Sequence, residues 1–189
     1  MTAQEIAALF TRSDGTYRCA RWGRPVAPVA FGLADETLDI LRAALKAGFA
    51  HAGHPVVDTD PESGSNLMLF FARGWDDLAG VPDLDRLTGQ PDLPARLAAE
   101  GAASYRIFRF DEAGAIRACF AFFDMSGPLA HAHPGALAEK ITMESTLTFA
   151  QEIQPDTEKA ALIRAAYDPV MPAVANDPSH ALRLMARMA

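Results

Sequence analysis

Two runs of aromatic and branched residues, Tyr105–Phe110 and Ala115–Phe123, are separated only by Asp111-Glu112-Ala113-Gly114. That spacing and turn chemistry predict a β-hairpin, and a hairpin this apolar needs a covered sheet around it. A third run, Asn66–Ala72, reads Asn-Leu-Met-Leu-Phe-Phe-Ala with no polar alternation. It predicts a strand buried on both faces, central in the same sheet. In Tyr17–Phe31, Pro25 and Pro28 exclude a central strand but allow an edge strand over Val26–Phe31.

Helices fill the remaining text. Leu38, Leu41, Leu45 and Phe49 recur along one face behind Asp35, a good N-cap residue, and Gly53 and Pro55 close that helix. Shorter helices are expected over Thr2–Phe10 and around Leu93–Glu100. Three more follow the hairpin: about Ala136–Gln151, then Pro155–Tyr167, then a last one after Asp177-Pro178 with Leu182, Met185 and Met188 on one face. This order predicts an α+β fold, with a mixed sheet containing a hairpin, helices mainly on one face and a helical C-terminus. Residues 1–189 form a single globular domain in this reading, with an α+β core over residues 1–151 and C-terminal helices over residues 152–189.

Half of the 189 residues are apolar, which suits a packed core and excludes disorder as the main state. Acidic residues outnumber Lys and Arg by 24 to 17, so the formal net charge of −7 disfavours nucleic acid and anionic lipid as partners. No apolar run approaches the length of a membrane span, and Met1–Phe10 lacks the basic start and apolar stretch of a signal peptide. A cytoplasmic protein is expected, with Cys19 and Cys119 as two free thiols.

The segment Ala136–Gln151 is not a clean amphipath, because Thr142, Glu144, Ser145, Thr146 and Thr148 interrupt it. The simplest account of Glu144 is a helical ion pair with Lys140, four residues earlier. The sharper account makes Glu144 a catalytic general base. A strand, a long helix, further strands, a hairpin and then a helix with a central glutamate resembles the layout of the zincin metallopeptidases over about Val26–Gln151. Their His-Glu-x-x-His window would fall on Met143-Glu144-Ser145-Thr146-Leu147, keeping the glutamate while both histidines have become apolar. The chain is also similar to uncharacterised bacterial zincin-like families that retain this helix without the full motif. The resemblance implies a zincin-like fold, and neither Met143 nor Leu147 supplies a donor that zinc uses.

Another metal set is possible: His131 and His133 form a His-x-His pair, and Asp124 is a candidate third ligand. Zinc held there would lower the pKa of its water beside Glu144. Other chemistry finds no motif, because a nucleophile elbow, a Ser-x-x-Lys pair and both glycine-rich phosphate loops are missing. Arg18, Arg21 and Arg24 are expected to meet the protein's own carboxylates. His51 and His54 suit a helix C-terminus, and His180 has no evident partner.

The sequence therefore leans away from an enzyme and towards a non-catalytic binding or interaction protein with no predicted cofactor, taking a protein or small molecule as its partner. The alternative is a metal-dependent hydrolase with an unconventional site around Glu144 and His131/His133. A homodimer is the base-rate expectation for the assembly.

Overall fold

The computed structural model describes residues 1–188. Its main sheet starts from a βαβ unit: strand β2 (Pro28–Phe31) and strand β3 (Leu67–Ala72) lie parallel, joined through helix α2 (Asp35–His51). Strand β5 (Ile116–Asp124) lies parallel to β3 on its other side, and strand β4 (Ser104–Phe110) pairs antiparallel with β5, giving the order β2-β3-β5-β4. The fold is thus α+β, with a mixed sheet, the expected hairpin and a helical C-terminus. The two most apolar runs, Leu67–Ala72 in β3 and Ala118–Phe123 in β5, take the two central positions, where each strand is paired on both edges.

Alternate residues of the central strands serve two cores. Leu67, Leu69 and Phe71 with Cys119, Ala121 and Phe123 face α2 and helix α5 (Pro134–Thr146), where Leu41, Leu45, Phe49 and Ile141 complete the layer. Met68, Phe70, Phe120 and Phe122 face the other way, under a 3-10 turn at Trp75–Gly80, helix α3 (Leu84–Thr88) and helix α4 (Leu93–Glu100). The long helices share one face and the short ones cover the other. Gly32 has φ +86°, and a Cβ there would stand 2.1 Å from the Phe71 carbonyl oxygen, so only glycine lets β2 turn away so close to β3.

A third core lies beyond the sheet. Helix α1 (Ala3–Phe10) packs with helix α6 (Thr157–Ala166) and helix α7 (His180–Arg187), filled by Phe10, Tyr17, Phe149, Leu162 and Leu184. A two-stranded sheet of β1 (Cys19–Ala20) and β6 (Val174–Ala175) closes one side. The first helix of the chain therefore packs with the last two.

Several boundaries differ from expectation. The edge strand begins at Pro28, because Val26 leaves the sheet to bridge Val56. The cap of α2 is Ala34, and Asp35 instead sits in the first helical turn, where its charge complements the helix dipole. The expected helix over Ala136–Gln151 spans Pro134–Thr146, since Leu147 adopts extended φ and ψ and bridges Arg21. The α7 cap is Ser179, and Asp177 accepts from the Ser179 N–H in the turn before it.

Candidate functional site

The polar interruptions of α5 are satisfied mostly by its own backbone. Thr142, Ser145 and Thr146 donate to the carbonyls of Ala138, Ile141 and Met143 at 2.7 Å each, the back-bonding open to buried hydroxyls in a helix. Thr148 lies past the helix end, where its hydroxyl accepts from Ala20 N–H and donates to the Arg18 carbonyl.

Glu144 is different. Only 1% exposed, its carboxylate accepts from Lys140 Nζ at 2.6 Å, from Arg106 Nη1 at 2.5 Å and from the Ile153 N–H at 2.9 Å. The expected pairing with Lys140 is present, but it is buried, and a strand contributes the second cation. Lys140 also meets Glu152 at 3.2 Å, and Ser104 Oγ donates to Glu152 at 2.9 Å. Burial pulls the Glu152 carboxyl upward, but Ser104 and Lys140 outweigh it and hold the group below its ordinary range. Three donors leave Glu144 engaged in joining α5, β4 and the segment Leu147–Ile153.

Of the proposed metal residues, Asp124 and His133 are engaged locally. Asp124 Oδ1 accepts from the Ser126 N–H at 2.8 Å and from Ser126 Oγ at 2.6 Å. His133 caps α5, its Nδ1 accepting from the Gly135 N–H at 3.2 Å, and exposed His131 ends a 3-10 turn over Pro128–His131. Among the described residues no three His, Cys, Asp or Glu side chains converge as a metal site.

The other histidines and the arginine cluster also have local explanations. His51 and His54 donate through Nε2 to the carbonyls of Ala160 and Arg24. His180, without an evident partner in the sequence, is buried with Nδ1 hydrogen-bonded to the Tyr17 hydroxyl at 3.1 Å, while its Nε2 meets no partner among the described residues. Among the described residues, Arg24 alone of the three arginines meets carboxylates: Glu62 at 2.6 Å and Asp60 at 3.6 Å. Arg21 donates to the Met171 carbonyl, and Arg18 donates to the Gly114 carbonyl while stacking 3.6 Å from the Phe110 ring centre.

A larger concave surface lies elsewhere, along the outer edge of β4. A groove of about 880 Å³ follows this strand over Ser104–Phe110 and is lined also by Thr148–Glu152, by Arg12-Ser13 and by Thr88–Gln90, the last beside Arg109. The Asp124 N–H donates to the Ala103 carbonyl, which fixes the phase of the β4–β5 ladder. Tyr105, Ile107 and Arg109 turn their backbone groups toward β5, and Ser104, Arg106 and Phe108 turn theirs outward into the groove. No backbone hydrogen bond joins that edge to the facing segment among the described residues, where Thr148 and Ala150 donate instead to Ala20 and Leu9.

The hairpin is visible in the sequence, but which of its two edges stays free is not. A usable signal was present: Arg106 and Arg109 punctuate β4, as charges do on edge strands, whereas Ala118–Phe123 of β5 carries no charge. Compared with protein-family models, with curated proteins and with solved structures, the chain matches none. No helix among the described residues is long and apolar enough to cross a membrane.

Proposed function

We propose that this protein is a non-catalytic interaction protein that takes an extended polypeptide segment as an added strand on β4. The observation that carries this is the outward backbone edge of Ser104, Arg106 and Phe108 opening into a groove as long as the strand itself. Main-chain groups supply the affinity in strand addition, and flanking side chains select among segments. A seven-residue strand spans roughly 23 Å at about 3.3 Å per residue, so a segment of similar length fills the edge. Engagement of Glu144 by three donors also favours binding over catalysis at α5.

The test is an amide-resolved NMR titration of the whole chain with the blocked peptide Val-Thr-Gln-Gln-Gln-Thr-Val at millimolar concentration. The amide signals of Ser104, Arg106 and Phe108 are expected to move most. A peptide with proline at its centre, which lacks a donor there, is expected to move them much less. Equal shifts with both peptides, or shifts confined to other surfaces, would overturn strand addition.

A further inference from the structure

We infer that the segment taken by the β4 groove is acidic, a partner chemistry that rests on strand addition at β4. The charged groups lining the groove are Arg12, Arg106, Arg109 and Glu152. Two of these are already balanced inside the fold: Arg106 is neutralised by Glu144, and Glu152 by Lys140. Arg12 and Arg109 remain. Both are exposed, and neither stands in an ion pair among the described residues; Arg109 spends one N–H on the Leu87 carbonyl at 3.0 Å.

A third cation stands at the Phe110 end of the strand. The guanidinium of Arg18 lies over the Phe110 ring, it too has no carboxylate partner among the described residues, and its Nε is buried without a hydrogen bond. Burial, and after it the nearby Arg12 charge, hold Arg18 below its ordinary range. On a chain of net charge −7, a groove lined by two exposed arginines outside any ion pair, with Asp14 the carboxylate that feels Arg12, is complementary to carboxylates.

Arg109 lies on the sheet face covered by α3 and α4, whereas Arg12 comes from the α1 side of the groove. An added strand points successive side chains to opposite faces, so consecutive acidic residues present carboxylates to both arginines. The matching occupant is an extended segment carrying a short acidic run.

The experiment compares the blocked peptides Val-Thr-Glu-Glu-Glu-Thr-Val and Val-Thr-Gln-Gln-Gln-Thr-Val on the full chain, following the Ser104, Arg106 and Phe108 amides at low and moderate salt. The glutamate peptide is expected to bind about fivefold or more tightly at low salt, two exposed ion pairs being worth roughly that factor. Its advantage is expected to shrink as salt rises and to vanish in the Arg12→Gln/Arg109→Gln protein. Arg12→Gln alone, at an exposed position outside the sheet, is expected to remove part of the advantage if the double variant folds poorly. Equal affinity of the two peptides would overturn acidic selectivity and leave strand addition standing. Failure of both peptides to move these amides would overturn both.

Discussion

The Glu144 carboxylate on α5 accepts a 2.5 Å hydrogen bond from Arg106 on β4, so the outermost strand of the sheet is held to the helix layer by a buried ion pair. The same carboxylate also takes Lys140 and the Ile153 N–H, and through them it positions the opposite wall of the β4 groove.

Removing this charge leaves Arg106 without its anion, while Lys140 keeps Glu152 at 3.2 Å. Loss of one partner from a buried ion pair typically costs about 3–5 kcal/mol. Water reaches Arg106 and Lys140, whose side chains are 13% and 17% exposed, so Glu144→Gln is expected to fall at the low end of that range in urea unfolding. An unchanged midpoint would show that Glu144 does not hold the fold.

Gly48 on α2 stands against Thr142 on α5 with no room for a side chain. A Cβ there would stand 2.3 Å from Thr142 Cγ2, and Thr142 is pinned by its hydroxyl bond to Ala138. Alanine normally gains about 0.5–1 kcal/mol over glycine inside a helix, whereas overpacking costs about 1–3 kcal/mol. Gly48→Ala is therefore expected to destabilise, and adding Thr142→Ser, which deletes Cγ2, to recover most of the loss in thermal unfolding. Stabilisation by Gly48→Ala alone would contradict this packing.

The sheet was legible because its strands declare themselves locally: Leu67–Ala72 and Ile116–Phe123 are nearly uninterrupted apolar runs, and the hairpin turn between β4 and β5 is written in four residues. The α2 face was legible through its leucine spacing, and Gly53 at φ +71° sits where its helix closes. What sequence could not supply was long-range pairing. Glu144 looked like a base or an exposed helical pair because Arg106, 38 positions away, becomes its neighbour only when α5 lies against the sheet. The groove was hidden for the same reason, since only the strand order β2-β3-β5-β4 leaves one edge of β4 free.

His180 makes the docking of α7 dependent on pH. Burial, with help from the Arg183 charge, holds its imidazole below its ordinary range, and Tyr17, itself pushed upward by burial, is its hydrogen-bond partner. The folded state then binds the proton less readily than the unfolded chain. The contribution to stability is complete above the unfolded value of about 6.5 and is lost as pH falls through the folded value. His54, also lowered by burial, adds to the same trend. Denaturation followed from pH 8 to pH 5 is expected to show falling stability, with a shallower fall in His180→Gln; identical slopes would contradict a role for His180.

Cys19 and Cys119 are both buried, and burial pushes each thiol up to about 12. Neither is expected to react with a thiol reagent at pH 8 in the folded protein, and both are expected to react in denaturant. Rapid labelling of either under native conditions would show that its core opens readily.

Amide hydrogen exchange along β4 in the unliganded chain tests the free edge most directly. Exchange is expected to alternate, with Tyr105, Ile107 and Arg109 protected by β5 and Ser104, Arg106 and Phe108 exchanging fast into the groove. Uniform protection along all six amides would mean that this edge is already covered, and strand addition on β4 would have no place to occur.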